Sequence, residues 1–270
     1  MTDVTLNAMR RHDITELSNL NILMAEDSPL NSKLVSILFA QNGLTLHIAE
    51  NGLETIEKLR ATHFDIVLMD MEMPVMNGYE ATTMIRNELK NQVPIIAMTA
   101  HTAPGEREKC LQIGMNDYIS KPINENLLFT MIYNLTLNKT QQNRNPVITE
   151  PVHRKEKVCD LGYLLVVTRG NKTSMKNIID VFIEEALEDL DSLTNAIAAM
   201  NYINITDISH KLKSAFSILG IASLKPVFEE IEFLGSIRTG IEKIICLNEC
   251  INDVFMQVQE EMKLECSAAD

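Results

Sequence analysis

The chain has 270 residues, which at roughly 100–200 residues per domain predicts about two domains, each able to bury a core of its own. Hydrophobic residues at 46% and charged residues at 23% match ordinary globular usage and exclude a disordered or fibrous chain. A formal net charge of −13 repels phosphate backbones and anionic lipid, so nucleic-acid binding is not expected.

Residues 1–20 form an N-terminal extension whose pattern fits a mobile tail and a short self-associating helix equally well. From Asn21 onward, short apolar runs at 21–25, 44–49, 65–69, 94–98 and 117–120 read as strands. Stretches of helical period separate them, at about 29–42, 52–62, 78–90, 105–114 and 125–138. Five βα units in this space imply an α/β fold with a parallel sheet covered by helices on both faces. The runs ILMA, IVLM and IIAM are apolar at successive positions, as strands buried on both sides require.

Residues 139–157 hold two prolines and mostly polar side chains, and no element there could bury a face, so they read as a linker with a local excess of basic charge. A flexible linker of about 20 residues spans only about 25 Å, which would place groups on its two sides at millimolar effective concentration. Residues 158–266 show no strand alternation. Apolar residues recur there at spacings of three and four through about 160–168, 173–200, 202–219, 222–236 and 240–264, which predicts a separate all-α bundle. Gly220, Gly235 and Gly240 fall where these helices are expected to end.

Open parallel sheets place their ligand site at the carboxyl ends of the strands. Glu26 and Asp27 follow the first strand and Asp70 the third, so three carboxylates converge on one rim and raise each other's pKa unless a cation neutralises them. Hard oxygen ligands with open positions suit Mg²⁺. Thr99 ends the fourth strand with a hydroxyl and Lys121 follows the fifth with a point charge, and together these groups suit a phosphoryl group on a carboxylate.

Through MAEDSPLN, IVLMDMEMPVMNGYEA, PIIAMTAH and GMNDYISKPI, residues 21–138 resemble a response-regulator receiver domain. The resemblance implies a flavodoxin-like, doubly wound (βα)5 fold with Asp70 as the phosphoacceptor. It also implies Mg²⁺ held by Glu26, Asp27, Asp70 and the backbone carbonyl of Glu72, with Thr99 and Lys121 on the phosphoryl oxygens. Lys121–Pro122 would be cis, and Tyr118 would be the aromatic switch partner of Thr99. Asn77 stands where many relatives carry Asp, and Glu26 where others carry a second Asp.

In the second domain, a helical projection of 203–220 places Ile205, Ile208, Leu212, Ala215, Phe216 and Leu219 on one buried stripe. His210, Thr206, Lys213, Ser214 and Ser217 fall opposite, which predicts an imidazole on a solvent face open to a docking partner. Through HKLKSAFSILG and the upstream DLGYLLVVTRGNK, residues 158–266 resemble a histidine-containing phosphotransfer (HPt) domain, an antiparallel helical bundle. The resemblance implies that His210 is phosphorylated and that Lys213 assists. Ser214 occupies a position often held by Gly.

The remaining runs are given ordinary roles. MDMEMPVM reads as packing, the acidic run at 184–191 as a solvated helix face, and Cys246 and Cys250 as core thiols. The five cysteines are odd in number and form no CxxC pair, which suits free thiols in a reducing cytoplasm. No apolar run approaches the roughly 18 residues of a membrane span, so membrane insertion is not expected.

Receiver and HPt domains together imply a phosphorelay intermediate. It would take a phosphoryl group on Asp70 from an upstream histidine kinase and exchange it with His210 for delivery to a downstream response-regulator receiver. This is a phosphotransfer protein without a kinase catalytic domain. The alternative is the C-terminal receiver–HPt portion of a hybrid sensor histidine kinase, against which the reading sets the initial Met1 and the lack of a Gly-rich ATP-binding segment. A phosphoaspartate hydrolase, with Glu72 as the second acid, and a DNA-binding output regulator are disfavoured, the latter by the acidic second domain.

Overall fold

The computed structural model describes residues 15–99, 106–138 and 158–267. The chain divides into two compact units, Met1–Thr149 and Glu150–Asp270. The expected linker, 139–157, and residues 1–14 of the expected extension lie outside the described residues. So do Ala100 and His101 of the PIIAMTAH motif.

The first unit is a five-stranded parallel sheet of order β2-β1-β3-β4-β5, with β1 Ile22–Ala25, β2 Leu46–Ala49, β3 Ile66–Asp70, β4 Ile95–Thr99 and β5 Asp117–Ser120. Every residue of β1, β3 and β4 is buried, which explains their unbroken apolar runs, while edge strand β2 is largely half-exposed. The helices are α1 Pro29–Gln41, α2 Gly52–Ala61, α3 Gly78–Asn87, α4 Glu106–Gln112 and α5 Glu125–Thr136. Leu23, Ala25, Val67, Met69, Ile95 and Ala97 of the sheet share one cluster with Ile56 and Leu59 of α2, Ala81 and Ile85 of α3, and Cys110 of α4. Phe39 of α1 and Phe129 of α5 meet edge to face, 5.4 Å between centroids. Leu17, in the segment read as an extension, is fully buried.

Local chemistry fixes where the helices begin. Ser28 caps α1 by accepting from the Asn31 N–H, with Pro29 in the first turn. Asn77 and Glu80 form a reciprocal capping box on α3.

The second unit is built from α6 Gly162–Val167, α7 Lys172–Ala198, α8 Tyr202–Ile218, α9 Lys225–Ser236 and α10 Ile241–Ser267. Its core is a ring of phenylalanines. Phe182 of α7, Phe216 of α8, Phe228 of α9 and Phe255 of α10 meet edge to face or tilted, in contacts with centroids 5.2–6.2 Å apart. Gly220 and Gly240 adopt positive φ in turns, as expected, but Gly235 lies inside α9. A Cβ there would fall 2.3 Å from Thr206 Oγ1, so Gly235 lets α9 approach α8 closely rather than ending a helix. No helix among the described residues is long and apolar enough to cross a membrane.

Candidate functional site

The sheet gathers the predicted acidic residues on one rim. Oxygens of Glu26, Asp27 and Asp70 lie within 4.8 Å of one another. Asp70 closes β3 and Thr99 closes β4, and the Lys121 N–H donates to the Thr99 carbonyl at 2.8 Å, so all these groups sit on adjacent strand ends. Gly78 lets α3 start directly behind Asp70, since a Cβ there would lie 2.3 Å from the Asp70 carbonyl oxygen. The Lys121–Pro122 peptide is cis. Tyr118 is half-buried against the α2–α4 cluster, and Thr99 is buried.

Charge on this rim is unbalanced. Lys121 Nζ lies 2.7 Å from Glu26 Oε2 and 2.6 Å from Asp70 Oδ2, while the Glu72 N–H donates to Asp70 Oδ1 at 3.3 Å. Burial, and then the neighbouring Asp70 charge, push the Glu26 carboxyl up to about 8 against the opposing pull of Lys121 and Asn31. Burial alone would lower the Lys121 pKa, but the Asp70 and Glu26 charges more than offset it and raise it above its ordinary value. When all three are ionised, the carboxylates outnumber the one ammonium, and that negative excess, lined by hard oxygens, fits a divalent cation.

The second unit corrects the sequence reading of His210. It does not lie on an open solvent face: it is buried, and so is Lys213. The helical projection located the main stripe, with Ile205, Leu212, Ala215, Phe216 and Leu219 buried and Ile208 half-buried. It could not see that α9 covers part of the opposite side. Gly235 meets Thr206 of that side and Phe228 meets Phe216 of the main stripe, so α9 runs antiparallel along α8 with Glu232 between these contacts. Glu232 Oε1 is 3.3 Å from His210 Nδ1 and Oε2 is 2.6 Å from Lys213 Nζ. Burial raises the Glu232 pKa, but bonds from His210 and Lys213 and their charges outweigh it and hold it below its ordinary value.

Sequence reasoning missed Glu232, which the structure sets against both His210 and Lys213. It stands four residues after Phe228 and three before Gly235, on the stripe that α9 buries, so helical spacing would have separated it from Glu229 and Glu230. Of the runs given ordinary roles, Met69, Met71 and Met73 are core residues. Asp189 of the acidic run is not simply solvated, since it pairs with Lys211 of α8 at 3.0 Å. Cys246 and Cys250 are exposed, not core thiols, because α10 buries Ile244, Asn248, Ile251 and Phe255 instead.

Residues 22–133 match the response regulator receiver domain family, and residues 177–255 match the Hpt domain family. The chain is 27% identical over 254 residues to the signal transduction histidine-protein kinase BarA of Shigella flexneri, an alignment covering 92% of this chain and 27% of that protein. It is 26% identical over 266 residues to the sensor protein EvgS of Escherichia coli, covering 98% of this chain and 21% of that one. The chain thus spans only about a quarter of the length of these curated relatives. Among solved structures, the receiver domain of sensor histidine kinase PA1611 from Pseudomonas aeruginosa is 36% identical, covering 43% of this chain and 97% of that one with a TM-score of 0.40.

Proposed function

We infer that this chain, a response-regulator receiver domain joined to an Hpt domain, is a phosphorelay intermediate that takes a phosphoryl group on Asp70 from a histidine kinase and exchanges it with His210 for a downstream receiver. The observation that carries this reading is a pair of acceptors of opposite kind, each beside a lysine whose side chain is largely shielded from solvent. Asp70 lies 2.6 Å from Lys121, and His210 shares Glu232 with Lys213. We take 21–138 as the receiver, 139–157 as the linker, 158–266 as the HPt domain and 1–20 as an extension.

In the first transfer an Asp70 carboxylate oxygen attacks phosphorus, the P–N bond of the kinase phosphohistidine breaks, and an acyl phosphate forms. Mg²⁺ held by Glu26, Asp27, Asp70 and the Glu72 carbonyl would supply charge neutralisation to the transferring group. Lys121 adds a fixed positive charge and the Thr99 hydroxyl a donor, and Tyr118 would follow Thr99 when the site fills. In the second transfer the His210 Nε2 lone pair attacks phosphorus, the O–P bond breaks and Asp70 leaves as a carboxylate. The Nδ1 proton stays on the ring facing Glu232, which balances the charge of the cationic phosphoimidazole, while Lys213, paired with the other Glu232 oxygen, would assist by adding positive charge near the phosphoryl group.

A second reading, the C-terminal receiver–HPt portion of a hybrid sensor histidine kinase, is favoured by alignments that cover nearly all of this chain yet only 27% of BarA and 21% of EvgS. In either setting these residues perform phosphotransfer. We place the exchange in the cytoplasm, where a reducing pool keeps thiols such as Cys246 and Cys250 free.

The test is acetyl phosphate with Mg²⁺, comparing wild type, Asp70→Asn and His210→Gln by intact mass and by lability to acid and hydroxylamine. Acid-labile, hydroxylamine-resistant label on His210 that vanishes in Asp70→Asn is expected. Label confined to Asp70 after long incubation would separate the two modules and refute internal exchange.

A further inference from the structure

The structure assigns a positioning role to Asn31, a residue of α1 that takes no part in the phosphotransfer chemistry above: we propose that its side-chain amide aims the Glu26 carboxylate at the cation site. The inference rests on reading Glu26, Asp27 and Asp70 as a divalent-cation site. Asn31 Nδ2 donates to Glu26 Oε1 at 2.7 Å, and both residues are buried, at 8% and 2% exposure. The other oxygen, Oε2, lies 2.7 Å from Lys121 Nζ. The carboxylate is therefore held at both ends.

A glutamate needs such a hold. It has one more torsion than aspartate, and its last torsion, between sp³ and sp² carbons, is broad and roughly two-fold, so rotamer preference alone does not set the plane of the carboxylate. Lys121 cannot set it either. Its ammonium is a compact point charge and is shared with Asp70 at 2.6 Å. A neutral amide supplies direction without adding positive charge, so the cluster keeps the negative excess that draws a cation.

Asn31 is itself fixed in place. Its backbone N–H donates to Ser28 Oγ at 3.2 Å, the capping bond of α1, and Pro29 sets the helical start. The Glu26 N–H donates to the Ala49 carbonyl at 2.9 Å, which anchors the other end of the arc to β2. Residues 26–31 are thus closed by side chain and backbone together, with Asp27 carried between. Hydrogen-bond partners behind a metal ligand typically change metal affinity by about 10–100-fold, and Asn31 acts at that scale.

The experiment titrates Mg²⁺ into the full chain by calorimetry for wild type, Asn31→Ala, Asn31→Leu, Glu26→Ala and the double variants, with circular dichroism confirming the fold. Both Asn31 variants should bind Mg²⁺ about 10–100-fold more weakly than wild type, although one empties the site and the other fills it. In the Glu26→Ala background, replacing Asn31 should change affinity by no more than about twofold, because its only route to the cation is gone. Wild-type affinity in both Asn31 variants, or an undiminished loss in the Glu26→Ala background, would overturn this inference alone. A wild-type chain that takes up no Mg²⁺ would overturn the cation-site reading, and this inference with it.

Discussion

Replacing Glu232 by Gln separates its charge from its shape, since glutamine keeps an acceptor for the His210 Nδ1 proton. Glu232, His210 and Lys213 meet with side chains only 13%, 11% and 7% exposed, so water screens their charges weakly. A carboxylate facing Nδ1 favours the proton there, which would leave Nε2 as the nucleophile. As the Nε2–P bond forms, the ring gains positive charge and the interaction with Glu232 strengthens. Hydrogen bonds to charged groups contribute about 1.5–3 kcal/mol, and at about 1.4 kcal/mol per factor of ten Glu232→Gln should slow Asp70-to-His210 transfer about 10- to 150-fold. Rapid-quench sampling after a pulse of acetyl phosphate measures that rate, and ¹⁵N spectra of His210 report the tautomer. Wild-type transfer in Glu232→Gln, together with an unchanged tautomer, would reduce Glu232 to a partner of Lys213 and refute the reasoning.

Two further outcomes follow from the same helix pair. Gly235→Val forces a side chain toward Thr206 Oγ1, 2.3 Å from where its Cβ would sit, and should destabilise the second unit by about 1–3 kcal/mol in urea titration. Adding Thr206→Ala should recover most of that loss, and a double variant no better than Gly235→Val would place the strain elsewhere. Glu232 has a depressed folded-state pKa, so its stabilisation is complete above the unfolded carboxylate value, about 4.3, and is lost as pH falls through the lower folded value. Urea midpoints of wild type and Glu232→Gln should therefore differ at neutral pH and converge only below about pH 4.3, whereas convergence at neutral pH would show that the ionised carboxylate stabilises nothing.

The rim of the first unit was legible because strand ends are marked locally. β1, β3 and β4 are buried throughout, so each runs apolar until Glu26, Asp70 and Thr99 interrupt it, and the parallel topology brings those interruptions together. The second site was half legible. HKLKSAFSILG located His210, but its surroundings are set by α9, and one-helix periodicity cannot tell a face open to solvent from a face covered by a second helix. Lys213 was misjudged for the same reason. Cys246 and Cys250 were a different error, since the stripe through Ile244, Ile251 and Phe255 leaves both thiols outside and could have been counted from sequence. Asn31 carried no sequence signal beyond helix capping, because its bond to Glu26 depends on how the arc after β1 folds back.

The two sites differ in charge balance and so should differ in metal dependence. On the first rim three carboxyl groups face one lysine, and once they are ionised an incoming phosphoryl group adds about 1.5–2 negative charges to their excess. In the second site one carboxylate faces Lys213 and an imidazole, so the added charge meets no such excess. EDTA added before acetyl phosphate should therefore leave both acceptors unlabelled, because His210 receives its label only through Asp70. EDTA added after His210 is labelled should preserve that label, because return to Asp70, and the hydrolysis that follows there, is blocked. Label on Asp70 in the presence of EDTA would mean that Lys121 alone neutralises the rim. Loss of label from His210 equally fast with EDTA and with Mg²⁺ would mean that His210 sheds its phosphoryl group without Asp70, and the two acceptors would then not be in exchange.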